Sequence, residues 1–190
     1  MACLLGCTKR SGKQGRQRKA DSRLARLSLC LGALLFAGSA TAADVPAGKG
    51  PVTEYDMPRF VSLRVDKANL RAGPDKYFPI RTVLLRRGMP VKVIDEFKLW
   101  RKVALYDGVE GWLHQSLITG RRTFLILAEP ADMHDEPSAE AEIVARLEPK
   151  ALVGLSACDG EWCAVSAGRY RGWVLRSAGW GALLGENFER

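Results

Sequence analysis

From Phe60 onward, apolar and polar residues alternate in short runs. FVSLRV, residues 60–65, puts every second side chain on an apolar face, the period of a half-buried strand. ANLRAGPD breaks at Gly73-Pro74, a turn dipeptide, and IRTVLL resumes the strand pattern until RRGMP interrupts it at Gly88. PVKVID predicts a further strand and EFKL a loop. WRKVALYDGVEGWL then predicts two strands joined near Asp107-Gly108. Short β segments at intervals of about 8–12 residues, with turn residues between them, predict a small barrel or sandwich. The best helical stripe beyond the leader is SAEAEIVARL, Ser138 to Leu147, which predicts a helical turn at most.

The pattern then occurs a second time. Gly111, Trp112, Leu113 and Ser116 are answered by Gly172, Trp173, Val174 and Ser177. ANLRAGP, beginning at Ala68, aligns with ADMHDEP, beginning at Ala131, at an offset of 63, as do Ile80 with Ile143 and Leu84 with Leu147. Trp100 aligns with Trp162 at 62, and Gly111-Trp112 with Gly172-Trp173 at 61. Two single-residue deletions in loops, where deletions are tolerated, account for the drift. Self-similarity at a fixed spacing predicts an all-β chain made of one small barrel in tandem, residues 59–119 and 120–181, with a tail at 182–190.

Composition changes the picture at the front of the chain. The formal net charge is +8, but the first 42 residues hold eight basic side chains against Asp21 alone, so the remainder is close to neutral. Nucleic acid is therefore not an expected partner. A basic stretch, the apolar run LSLCLGALLFAG and small residues at Ala40 and Ala42 predict a signal peptide over 1–42. The apolar run is too short to span a bilayer, which takes about 20 residues, so no membrane span is expected after cleavage. Residues 43–58, rich in Gly, Pro and small polar residues, predict a flexible linker. The expectation is an exported protein, periplasmic or secreted.

Export decides how the cysteines are read. Cys3, Cys7 and Cys30 leave with the leader, and Cys158 and Cys163 remain, bracketing DGEW. Asp-Gly marks a hairpin turn, which sets the two cysteines opposite one another on paired strands. A disulfide is expected in an oxidising compartment, contributing about 1–3 kcal/mol because its loop is short.

The first unit resembles the bacterial SH3-type (SH3b) domains. Asn69, Arg71, Gly73, Pro74, Gly88, Trp100, Val103, Gly108, Gly111 and Trp112 fill the places of that family's pattern. The second unit departs from it: His134 stands for Arg71, Glu136 for Gly73 and Ala151 for Gly88. It keeps Trp162, Cys163, Gly172 and Trp173. The resemblance implies tandem SH3-like barrels that act by binding. ALYDG, residues 104–108, is similar to the opening of eukaryotic SH3 domains but stands on a late hairpin, so recognition of proline-rich ligands does not carry over.

The tryptophans are expected to pack the barrels, which are short of buried area at this size; the alternative is ring faces in a ligand groove. Arg71, Tyr77, Phe78, Trp100 and Trp112 are the candidate binding residues, with an exposed Arg and loop aromatics as the plainer reading of the first three. Residues 60–119 carry a net +5 and residues 121–180 a net −2, which either orients the two units against each other or gives the first an anionic ligand, with surface charge that has no partner as the plainer reading. Cysteine catalysis with His114 or His134 lacks a constellation, and no zinc spacing or phosphate loop occurs. No enzyme activity, cofactor or metal is expected. The functional expectation is a non-catalytic envelope module that binds cell-wall (peptidoglycan) peptide or glycan; the alternative is a scaffold subunit that docks an envelope protein.

Overall fold

The structure is a computed structural model that describes residues 47–127, 129–186 and 188–189. The expected signal peptide and its cleavage site lie outside the described residues. A short hairpin comes first, β1 (Gly48–Lys49) with β2 (Asp56–Met57). The first barrel is built from β3 (Arg59–Leu63), β4 (Ala68–Arg71), β5 (Ile80–Leu84), β6 (Pro90–Phe97), β7 (Trp100–Ala104), β8 (Glu110–His114) and β9 (Ile118–Thr119). Its strand order is β5-β4-β8-β7-β6-β3-β9.

The second barrel repeats this arrangement strand for strand. β10 (Thr123–Ile126), β11 (Ala131–His134), β12 (Ile143–Leu147), β13 (Leu152–Asp159), β14 (Trp162–Ala167), β15 (Tyr170–Leu175) and β16 (Gly179–Trp180) run in the order β12-β11-β15-β14-β13-β10-β16. A last strand, β17 (Phe188–Glu189), adds to β13. Even the irregularities recur. The pairing shifts between Leu70 and Arg71 and again between Met133 and His134, and between Val93 and Asp95 and again between Leu155 and Ala157. Such bulges bend a strand and re-aim its side chains, as a small, strongly curved sheet requires.

Each barrel fills its own interior. Leu63, Leu70, Val91, Val93, Val103 and Leu113 centre the first core, and Phe124, Ile126, Met133, Val165 and Val174 the second. The repeated Gly-Trp has a packing reason. A Cβ on Gly111 would stand 2.5 Å from the Leu70 side chain and 2.8 Å from the Arg71 carbonyl oxygen. One on Gly172 would stand 2.8 Å from Met133 and closer still to the His134 carbonyl. Only glycine lets this strand cross β4, or β11, so closely.

The barrels meet along β3 and β10, whose outer residues are buried as well as their inner ones. Ser62 Oγ lies 2.8 Å from Thr123 Oγ1 and donates to the Arg121 carbonyl at 2.6 Å. Thr123 Oγ1 donates to the Gly88 carbonyl at 2.6 Å. Phe60 and Trp180 meet edge to face with centroids 5.0 Å apart.

Several expectations need correction. Ser138–Leu147 holds no helical turn: it closes a loop and then forms β12. EFKL is not all loop, because β6 continues to Phe97 and only Lys98 and Leu99 turn the chain. The counterpart of Gly88 (φ +81°) is Lys150 (φ +67°) and not Ala151, since both donate a backbone N–H of 2.8 Å to the preceding strand, at Leu63 and Ile126. Residues 48–57, within the expected linker, form the β1–β2 hairpin and bond to Glu96. The first carbonyl of that hairpin's turn is tied as well, with Glu54 donating to Gly50 at 3.0 Å.

Candidate functional site

Alternation along β4, β7 and β8 divides the first barrel's wall. Leu70, Val103 and Leu113 point inward, while Asn69, Arg71, Trp100, Trp112 and His114 are half-buried on the outer face. Trp100 and His114 are direct cross-strand partners, and their rings meet edge to face at 5.4 Å and 82°. The His114 Nδ1 accepts the Ser116 backbone N–H at 3.3 Å and lies 2.7 Å from Ser116 Oγ, which fixes the ring against the turn.

Asn69, Arg71, Trp100, His114 and Ser116 floor a cleft of about 620 Å³, with exposed Lys67, Asp75 and Lys76 also lining it. Arg71 has a second duty: its Nη1 donates to the Phe78 carbonyl at 2.8 Å and closes the loop that carries Asp75 and Lys76. Asp75 Oδ1 accepts the Tyr77 backbone N–H at 2.9 Å within the same loop. The cleft thus offers an aromatic edge, three cations and one carboxylate. That combination suits a ligand bearing both carboxylates and apolar or sugar surface.

The structure therefore brings Arg71 and Trp100 together and leaves the other candidates outside the cleft. Tyr77 is 83% exposed at the loop tip, with the Lys76 ammonium 5.0 Å from its ring centre. The Phe78 ring lies over Gly73, where a Cβ would stand 2.6 Å from it. Trp112 shares the outer face of β8 with His114 and pairs with Arg71 across the strands, but does not line the cleft. Lys67, Asn69, Lys76 and His114 were not among the candidate binding residues read from the sequence. For His114 the signal was present, since it stands two residues after Trp112 and so faces the same way.

The tryptophans are not core residues. Trp100, Trp112, Trp162 and Trp173 are all half-buried on outer faces, and both cores are filled by aliphatic side chains, Met133, Phe124 and the cysteines. The glycine beside each late tryptophan takes the inward place, so the ring must point out.

The second repeat builds the same corner from other residues. Trp162 meets His134 edge to face at 5.4 Å and 81°. His134 Nδ1 lies 2.9 Å from the Ala141 carbonyl, the counterpart of the Phe78 carbonyl, so the imidazole replaces the Arg71 clamp. Lys67 and Lys76 give way to Pro130 and Ala139, and Asn69 to Asp132, whose carboxylate is bonded by Arg146 Nε at 2.7 Å. The Arg146 hydrogen bond holds that carboxyl below its usual range.

Cys158 and Cys163 are cross-strand partners with Cα atoms 4.1 Å apart and form a disulfide buried in the second core. Neither is left as a thiol. At the same register in the first barrel stand Glu96 and Arg101, buried and 3.3 Å apart.

Comparison with known proteins agrees with this duplication. A comparison with curated proteins finds no match. Among solved structures the chain is similar to NlpC2 from Trichomonas vaginalis, at 13% identity and a TM-score of 0.32, over 67% of this chain and 49% of that one. It is also similar to an NlpC/P60 family protein from Bacillus cereus, at 16% identity and a TM-score of 0.31, over 67% and 58%. The chain spans only about half the length of these proteins. The bacterial SH3 domain matches twice, over residues 64–120 and 128–181, one match on each barrel and together more than half of the chain. Two matches laid on two structurally equivalent barrels decide the family: the chain belongs to the bacterial SH3 domain family.

Proposed function

We propose that the chain is an exported, non-catalytic binding module of the bacterial envelope, and that it holds cell-wall peptide or glycan in the cleft of the first barrel. The observation that carries this reading is the contrast between the two Trp–His corners. The first combines Trp100 with Lys67, Arg71 and Lys76, whereas the second has lost both lysines and gained Asp132. Cell-wall peptides present carboxylates beside small apolar side chains, and glycan presents faces that stack on rings, so both halves of the cleft find a complement. Export rests on the leader, with its basic stretch, apolar run and small residues before Asp44.

Co-sedimentation with purified sacculi tests the reading. Saturable pelleting is expected, weakening as salt rises because the cations are exposed. Trp100→Ala and the double variant Lys67→Ala/Lys76→Ala should each reduce affinity about tenfold or more. Lys67 and Lys76 are better probes than Arg71, whose removal would also open the loop it clamps. No pelleting at low salt would overturn the reading and direct the search to an envelope protein by crosslinking.

A further inference from the structure

A second cleft, of about 550 Å³, opens where the two barrels join. The end of β3, the turn before β6 and the connection after β9 form one side, and β10 with the start of β13 the other. Neither repeat contains it alone. Its charged residues are Arg64, Arg87 and Arg121, all exposed, and no acidic side chain lines it. Among the described residues none of these three guanidiniums has an ion pair, whereas three other arginines of the first barrel and the seam do. Arg59 and Arg101 meet Glu96, and Arg122 meets Glu186.

We propose that this cleft is a separate anion site, which takes a phosphate group between the three arginines. Three like charges gathered without a carboxylate repel one another, and a ligand with more than one negative charge relieves that repulsion. The choice of cation narrows the class. Every cation here is an arginine, whose planar fork grips tetrahedral oxoanions through paired hydrogen bonds, whereas the first barrel's cleft mixes two lysines with Arg71. The walls are fixed by the seam. The Ser62 and Thr123 hydroxyls donate to the Arg121 and Gly88 carbonyls, which pins the connection and the turn bearing Arg87. The arginines are additions to the repeated unit, since Arg64 stands where the second repeat has Leu127 and Arg121 where the first has Pro58.

The test is calorimetric titration of the chain with pyrophosphate at low salt, beside flotation with phosphatidylglycerol vesicles. Saturable pyrophosphate binding without flotation places the phosphate on a soluble ligand; arginine-dependent flotation places it on a lipid headgroup. Either upholds the site. Arg64→Ala/Arg87→Ala should weaken binding about tenfold or more, and because both side chains are exposed the variant should fold as the parent does. Lys67→Ala/Lys76→Ala should leave it unchanged, which separates this site from the cell-wall reading. The proposal is overturned if neither pyrophosphate nor vesicles bind, if the arginine variant binds as the parent does, or if acetate binds as tightly as pyrophosphate.

Discussion

The β6–β7 hairpin of the first barrel and the β13–β14 hairpin of the second face their cores with the same two positions. One fills them with Glu96 and Arg101, the other with a disulfide between Cys158 and Cys163. The disulfide is self-contained and joins an apolar core. The ion pair is not, because a buried carboxylate needs every lone pair answered. Glu96 therefore recruits Arg59 at 2.7 Å, the Thr53 hydroxyl at 2.7 Å and the Thr53 backbone N–H at 2.9 Å. Gly50 leaves room for it, since a Cβ there would stand 2.6 Å from the carboxylate. The polar cross-link thus docks the N-terminal hairpin as well as joining two strands. Arg122, the counterpart of Arg59, finds Cys158 in the place of Glu96 and meets Glu186 from the C-terminal tail at 2.8 Å. One inherited arginine has been completed in two ways, from within the barrel and from the tail.

If the two cross-links differ in this way, Glu96 is where the first barrel breaks. Glu96→Gln leaves the Arg59 and Arg101 guanidiniums facing a neutral amide in a site where the Glu96 side chain has no exposure. Breaking a buried pair from one side costs about 3–5 kcal/mol. A urea transition with a lower midpoint and an unchanged slope measures that loss. A loss under about 1 kcal/mol would show that both arginines find other partners, and the contrast with the disulfide would fail. Acid should act in the same direction. Burial pushes the Glu96 carboxyl up, but hydrogen bonds from Arg59 and Thr53 outweigh it and bring it from 4.5 to about 2. A carboxyl depressed on folding contributes stability that is complete above its unfolded value and lost as pH falls towards the folded one. Amide protection of residues 50–59 should therefore fall between about pH 4.5 and 2. Glu186 is also held below its usual range, Arg122 overcoming the effect of burial, so the C-terminal tail loosens the same way. The β13–β14 hairpin, joined by a bond that does not titrate, should keep its protection.

The second barrel's cross-link is expected to matter less. The disulfide spans a sequence separation of 5, and closing so short a loop removes little freedom from the unfolded chain. Reduction should lower stability by about 2 kcal/mol. Urea unfolding with and without reductant tests this, with Cys158→Ala/Cys163→Ala as the variant that keeps the core apolar. A loss larger than that of Glu96→Gln would reverse the ranking of the two hairpins.

The sequence made the duplication legible because strand alternation and the Gly-Trp pairs survive in both repeats. The disulfide was legible too, since Asp159-Gly160 announces the turn between the cysteines. The buried ion pair was not. Glu96 and Lys98, in EFKL, look like a solvated loop when read along the chain, and only the bulge after Val93 turns Glu96 inward. Yet the offset of 62 that relates Trp100 to Trp162 also carries Cys158 onto Glu96 and Cys163 onto Arg101. Read across the repeats, the inward positions could have been found. The cleft was legible only in part. Trp100 and Arg71 stand out by type, and His114 follows from its place beside Trp112, but the approach of Lys76 depends on how the loop after β4 folds back, which local pattern does not encode.

The smallest expected effect lies in that loop. Gly73 faces the Phe78 ring, whereas the second repeat has Glu136 and Ala141 at the matching places. A large ring over a glycine and a small residue beside a longer side chain are two solutions to one contact. Gly73→Ala should cost about 1 kcal/mol, at the low end for overpacking because Phe78 is 44% exposed and has room to swing outward. Combined with Phe78→Ala, the first repeat acquires the small partner found in the second, and the cost of Gly73→Ala should largely vanish. The double-mutant cycle then shows a coupling of about 0.5–1 kcal/mol. Additivity would mean that something other than the Phe78 ring opposes a side chain in place of Gly73. In that case Glu136 would be tolerated only because the second loop, clamped by His134 and not by Arg71, follows a different path.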